Sequence, residues 1–298
     1  MTGSSTPRAL FAGLATLDIV QLVERLPQPN EKVGALDFLV AAGGPAVNAA
    51  VAAAHCGSEA SLLTALPAHP LTELIRADLG DCRVGLEIAD VGPDPTPPTA
   101  AIMITRATGD RAVVSPTGGA MTERVTPGEF DAHRALEGVR ALLIDGYHRH
   151  LALPLALAAR ERGIPVILDA GSWKPYTPEV LEHVDLAVVS DDFAPPGTDG
   201  EPGAVLDALS GLGVERIVIT RGARPILVRL PRGDAEVAVE PVDVVDTLGA
   251  GDFIHGALTH RIAELGLRDA RLVEDLAWAS RVAGTSLGSF GTRAWLRE

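Results

Sequence analysis

Asp243-Val244-Val245-Asp246-Thr247-Leu248-Gly249-Ala250-Gly251-Asp252 runs into an Ala/Leu-rich stretch that reads as a helix from Gly251 to Leu265. Glycine and alanine at 249 to 251 let the backbone come close to a ligand. The first N–H groups of a helix have no partner inside it, and the positive end of the helix dipole lies at the same place. A glycine turn feeding a helix therefore suits a phosphoryl group that carries developing negative charge. Asp252 falls in the first turn, where a carboxylate can take a proton from a hydroxyl and ready it to attack a γ-phosphate. The same aspartate would also serve as a cap on its own helix. The turn lacks the Lys-Ser/Thr of a Walker A loop and the third glycine of a dinucleotide fingerprint.

Working back from this turn, strand-like and helix-like runs alternate. Ala141 to Asp145, Pro165 to Asp169, Asp185 to Val189, Arg216 to Thr220 and Ile226 to Leu230 are short apolar runs. Leu151 to Arg162 and Gly203 to Leu212 are helical, as is Ala270 to Leu287 beyond the turn. Nearer the start, Ala9 to Gly13 and Ala60 to Ala65 read as strands flanking an Ala/Val-rich helix, Ala46 to His55. This alternation predicts an α/β fold, a mostly parallel central sheet with helices on both faces. Residues 16–40 and 96–118 break the pattern. Within them, Ala100 to Thr105 and Arg111 to Ser115 flank Ala107-Thr108-Gly109-Asp110 as a hairpin, so these segments are expected to form a small β-sheet lid. No repeat or inter-domain linker divides residues 1–298, which are expected to form one domain.

Bulk properties narrow the function. A net charge of −14 argues against nucleic acid or an anionic membrane as partner. Aromatics at 4% give little material for base-stacking platforms and leave the core to Ala, Val, Leu and Ile. Cys56 and Cys82 make neither a disulfide framework nor a CxxC metal signature. There is no signal-peptide pattern and no uninterrupted apolar run of spanning length, so a soluble, cytoplasmic protein is expected.

The segment Asp246 to Asp252 resembles the C-terminal signature of the PfkB/ribokinase family of carbohydrate kinases, whose core is Asp-Thr-x-Gly-Ala-Gly-Asp. A second stretch agrees. Ala41-Ala42-Gly43-Gly44-Pro45-Ala46-Val47-Asn48-Ala49-Ala50 is similar to the family's N-terminal signature, a Gly-Gly pair with Asn four residues on at the start of an Ala-rich helix. The order and separation of the two motifs and the chain length fit as well. Leu17-Asp18-Ile19-Val20, Thr108-Gly109-Asp110-Arg111 and Val189-Ser190-Asp191-Asp192 look most like segments of ketohexokinase-like and sulfofructose-kinase-like members.

The resemblance implies a ribokinase-like fold with a lid over a sugar site, and transfer of the ATP γ-phosphate to a sugar hydroxyl of ribose or ketose type with Mg²⁺. On that basis Asp252 is the expected general base, and Gly249, Ala250 and Gly251 supply the anion-hole N–H groups. Arg111 reaches the transferred phosphate from the lid. Asp18, Gly43, Gly44 and Asn48 match the sugar-binding positions, and Thr220 and Gly222 the nucleotide-binding strand end. Thr247, Gly288 and Gly291 fall in loops that hold a monovalent cation such as K⁺ in many relatives. A homodimer through the lid is common in the family.

The chain departs from the family at four points. Pro45 stands where a sugar-contacting polar residue is usual. Arg224-Pro225 replaces a second glycine after Gly222, and Phe253 follows Asp252 directly. Ser190-Asp191-Asp192-Phe193 stands where many relatives carry Asn-x-x-Glu, with Asp191 and Asp192 both candidates for the Mg²⁺ water network. Asp145 and Asp169, ending consecutive strands, are further candidates to order Mg²⁺-bound water or the triphosphate region, and would otherwise cap loops. Tyr147, His148 and His150 follow Asp145 as possible pocket residues, and the His-x-His spacing suggests a metal without showing a third ligand. Lys174 is a candidate for a nucleotide phosphate. Two other readings stay open on the residues alone: a nucleoside kinase of the same fold, and a catalytically silent sugar or nucleotide sensor.

Overall fold

The structure, a computed structural model, describes residues 6–91, 96–116 and 130–297. Nine strands make the main sheet: β1 (Arg8–Ala12), β4 (Glu59–Leu66), β5 (Gly85–Asp90), β8 (Ala141–Ile144), β9 (Val166–Ala170), β10 (Leu186–Ser190), β11 (Ile217–Arg221), β12 (Arg224–Leu230) and β13 (Gly233–Val237). Their order is β13-β12-β11-β10-β9-β8-β1-β4-β5. From β5 to β11 all neighbours run parallel. The smaller sheet has four strands in the order β3-β2-β6-β7: β2 (Thr16–Val23), β3 (Asp37–Gly43), β6 (Thr99–Thr105) and β7 (Arg111–Val114).

The helices are α1 (Pro45–His55), α2 (Pro70–Asp81), α3 (Ala132–Ala135), α4 (Arg149–Glu161), α5 (Thr177–Leu181), α6 (Pro202–Gly211), α7 (Ala250–Leu265) and α8 (Asp269–Ser286). The central strands are apolar on both faces because helices cover both. Phe11, Leu62, Leu143 and Val188 pack with α1, α2, α7 and α8. Leu10, Leu63, Leu142 and Val189 pack on the opposite side with α4, α5 and α6. The period of two along each strand separates these layers.

The smaller sheet draws on residues 16–43 and 99–114, and residues 117 and 118 of the expected lid segments lie outside the described set. Its inner face buries Val20, Ala100, Ile102 and Ile104 with Leu248 of the glycine turn and Phe290 packed against them. One edge of the mostly parallel main sheet is antiparallel. There β11, β12 and β13 are joined by the tight turn through Gly222 at φ +60° and by another at Gly233. A two-residue connection cannot make the crossover that a parallel pair requires.

Alanines in α1 and a glycine in α7 let these two helices approach closely. A Cβ at residue 256 would fall 2.0 Å from the Ala49 carbonyl oxygen. Gly256→Ala is therefore expected to destabilise the fold by about 1–3 kcal/mol, since the obstacle is backbone rather than a movable side chain. Urea unfolding measures this, and an unchanged midpoint would contradict the close approach. Among the described residues no helix is long and apolar enough to cross a membrane.

Candidate active site

Sequence order along the main sheet reverses between β1 and β8. In open α/β sheets a ligand site forms beyond the carboxyl ends of the strands at such a switch point. A cavity of about 420 Å³ opens there, walled by Leu14, Asp145, Gly171 and Asp192 from the loops after β1, β8, β9 and β10. Ala100, Ile102 and Val113 of the lid close it from above.

Asp145 holds this corner together. Its buried carboxylate accepts N–H bonds from Leu14 at 2.7 Å, Tyr147 at 3.0 Å and Ala46 at 3.3 Å. It ties the β1 loop, the β8 loop and the start of α1. Gly13 carries no side chain because a Cβ there would fall 2.1 Å from the Asp145 Cγ. Of the two uses expected for Asp145, the contacts present are those of the loop-capping one, with three backbone donors on its oxygens. Burial raises its pKa to about 6, against the lowering effect of those N–H groups.

Asp252 lies in the first turn of α7, and the closeness of α1 and α7 sets Asn48 against it. Asn48 Nδ2 donates to Asp252 Oδ2 at 2.9 Å, and Arg293 Nη1 donates to Asn48 Oδ1 at 3.3 Å. The amide orientation is thereby fixed from both sides. Burial first, and the Asp169 carboxylate second, push the Asp252 carboxyl up to about 7. Gly249, at φ +78°, caps α7 and leaves room for the Phe253 ring and the Asn48 amide.

Asp18, in β2, points into the same cavity and accepts from Thr16 Oγ1 at 2.5 Å. Burial raises its pKa. Gly43 does not line the cavity: it stands behind Asp18, where a Cβ would fall 1.9 Å from Asp18 Oδ2. Gly44 and Asn48 do line it.

Of the acidic pair after β10, Asp191 forms an ion pair with Arg224 and Asp192 lines the cavity. Asp169 also lines it, with its Oδ2 3.0 Å from Nδ1 of His255. Burial works against a charged His255, but the Asp169 carboxylate outweighs it and the net shift of the imidazole is upward. Lys174 lines neither of the two large cavities around the glycine turn. Its Nζ sits 4.2 Å over the Tyr147 ring, which lines the acidic cavity. His148 is buried and His150 exposed, and neither belongs to a cluster of three metal-ligating side chains among the described residues.

A second cavity, of about 810 Å³, lies on the other side of the glycine turn. Its walls are largely apolar: Ile226, Val239, Val242, Val244, Ile254 and Leu287. Gly222 lines it and Gly288 does not. The two cavities share Arg111, Thr220, Thr247, Ala250 and Gly251. At this junction Arg111 Nη1 lies 3.3 Å from the Thr247 carbonyl, and Thr247 Oγ1 donates to the Gly109 carbonyl at 3.1 Å, docking the turn against the lid hairpin. An acid-lined cavity and an apolar one thus meet at helix N–H groups and an arginine.

The pfkB family carbohydrate kinase model matches residues 7–297. The chain belongs to this family. As a carbohydrate kinase it is a phosphotransferase with an alcohol acceptor. It is 26% identical over 289 residues to the ribokinase of Bacillus subtilis, covering 94% of this chain and 93% of that one. It is 25% identical to a bifunctional ribokinase/ribose-5-phosphate isomerase A of Fructilactobacillus sanfranciscensis, matching 96% of this chain but only 54% of that longer protein. The fold is that of an Arabidopsis thaliana ribokinase structure complexed with ribose and ATP, with a TM-score of 0.77, 22% identity, and 96% and 94% of the two chains covered.

Sequence reasoning passed over His255 and Arg293. His255 had a usable signal, since three residues after Asp252 on a helix puts it on the same face. Arg293 had none. Its links to Asn48, Asp78 and the Ala42 carbonyl come from the fold alone.

Proposed function

We propose that this kinase transfers the γ-phosphate of ATP to a hydroxyl of a small, uncharged ribose- or ketose-type sugar, with Asp252 as general base. The junction of the two cavities supports the reading. The apolar cavity suits a purine nucleoside moiety, the acidic one suits a polyol, and the glycine turn between them suits the phosphoryl in flight. The relative complexed with ribose and ATP is consistent with it.

In this scheme Asp18, braced by Thr16, orients acceptor hydroxyls. Asp252 takes the proton of the attacking hydroxyl, whose oxygen bonds to the γ-phosphorus as the bond to the β-phosphate oxygen breaks and ADP leaves. The N–H groups of residues 249 to 251 and Arg111 stabilise the charge on the transferred group. Mg²⁺, which binds such sites through phosphates and one or two carboxylates, would supply further neutralisation there, and Asp192 is the carboxylate that fits it. K⁺ would rest on carbonyls of the loops around Thr247 and residues 288–291, which Asp246 ties together by accepting from Leu248 N and Gly291 N.

Gly43→Ala tests the acceptor half. It is expected to displace Asp18 and raise the sugar KM by about tenfold to a hundredfold, with the ATP KM unchanged. A shift in the ATP KM alone would overturn the placement of Asp18.

The outer face of the lid supports a homodimer. Phe38 and Val114 are 70% and 72% exposed, and Ile19 and Val40 complete an apolar face across neighbouring strands. Such a face on a small sheet favours burial against a second copy. Light scattering is expected to give a dimer for the native chain and a monomer for Phe38→Glu. A native monomer would contradict the pairing.

A further inference from the structure

The cluster beneath the glycine turn has a donor set that phosphate transfer does not use up. Nδ1 of His255 and Oδ2 of Asp169 are buried and face each other at 3.0 Å, the imidazole also meets the Val188 backbone, and none of these contacts has good hydrogen-bond geometry among the described residues. His255 is 4% and Asp169 5% exposed. Buried polar atoms in native folds are nearly always well satisfied, so contacts this poorly aligned leave donor capacity that an ion could use. One donor atom from each of Asp169, Asp252 and His255 lies within 4.8 Å of the others. All three residues border the acidic cavity, which gives an ion a way in and leaves one side open.

We propose that Asp169, Asp252 and His255 form a transition-metal site, taking Zn²⁺ or a similar borderline ion, that blocks catalysis when filled. An imidazole with two carboxylates suits zinc and its neighbours rather than Mg²⁺, which prefers oxygen donors and keeps its waters. Around a tetrahedral zinc with bonds of about 2.0–2.2 Å, donors stand roughly 3.3 Å apart. Asp169 and His255 already meet that at 3.0 Å. Asp252 needs only to close in with the oxygen not held by Asn48. The fourth position faces the acceptor cavity and would take water or a hydroxyl. A bound ion occupies the carboxylate lone pair that would accept the acceptor's proton. The binding stands on the donor geometry alone, and only its inhibitory consequence rests on the proposed role of Asp252.

Co²⁺ added to the full chain without nucleotide reads the site directly. The expected result is one ion per chain with the visible bands of four- or five-coordinate Co²⁺. In His255→Asn and Asp169→Asn the Kd rises about tenfold or more. Retention of bands and affinity in both variants, or absence of Co²⁺ binding to the native chain, overturns the proposal. Should either variant fail to fold, X-ray absorption of the Zn²⁺-loaded native chain decides. One imidazole with oxygen donors supports the site, and none or several excludes it. Zn²⁺ is then expected to inhibit transfer in excess Mg²⁺, reversibly with a zinc-selective chelator, and to spare the residual activity of His255→Asn. Equal inhibition of both proteins overturns the inhibitory role. Cobalt binding needs no turnover, so it tests the site even if the kinase assay fails.

Discussion

Asp252→Asn is expected to lower kcat by about a thousandfold while ATP still binds and the fold persists. Positioned general bases contribute about 10²- to 10⁴-fold. Asparagine keeps the size of the side chain and a carbonyl oxygen for the Asn48 Nδ2 bond, which spans 2.9 Å in the native protein. It removes only the site that accepts the proton. The N–H groups of the turn and Arg111 remain, so some turnover persists. The pH profile carries the same information. Burial and Asp169 raise the Asp252 carboxyl to about 7. A raised pKa leaves it protonated, and unable to accept a proton, on the acid side of neutrality. The kcat/KM for the sugar, which reports the free enzyme, should fall tenfold per pH unit below about 7 rather than below about 4. Steady-state kinetics with a thermal-shift control for ATP binding checks both. A near-normal kcat in the variant would remove Asp252 from the base's role.

Arg111→Ala is expected to cut kcat by about a hundredfold to a thousandfold, the range for loss of one preorganised transition-state donor. Arg111 springs from β7 in the lid, borders both cavities, and among the described residues is held by long contacts of 3.3 and 3.4 Å to Thr247. Contacts that loose leave the guanidinium free to close on a phosphoryl group, where its planar fork is strongest. The sugar KM should change little, because Asp18 and Asn48 line the acceptor cavity from other elements. Arg111→Lys should recover part of the loss through charge without the fork. An effect confined to the sugar KM would contradict the phosphate role.

Most of the central sheet was legible because its strands are short apolar runs and its helices alanine- and leucine-rich, which fixes layer and direction together. The glycine turn was legible for a local reason, as a backbone that must approach an anion needs small residues. The direction of β12 was not legible. Arg224 to Leu230 reads as a strand in either sense, and only the tightness of the Gly222 turn decides it. In the site, the motif residues line or back one cavity, and their contacts could not be read from the motifs. Gly43 makes room for Asp18, Asn48 grips Asp252, and Asp145 organises loops. The Asp169–His255 contact joins residues far apart in the chain, and the apolar walls of the larger cavity come from β12, the segment after β13, α7 and α8 with its C-terminal end, without any signature. Such features depend on packing that no local stretch encodes.

The most direct measurement is acceptor-dependent ADP release with excess Mg²⁺ and ATP, run across ketoses, aldopentoses, sugar phosphates, sulfosugars and nucleosides beside the Asp252→Asn variant. The account predicts that a free ribose- or ketose-type sugar stimulates release, that the product is its phosphate ester, and that the variant loses the stimulation. Turnover confined to nucleosides, or binding of sugar and ATP with no release above background, would contradict it.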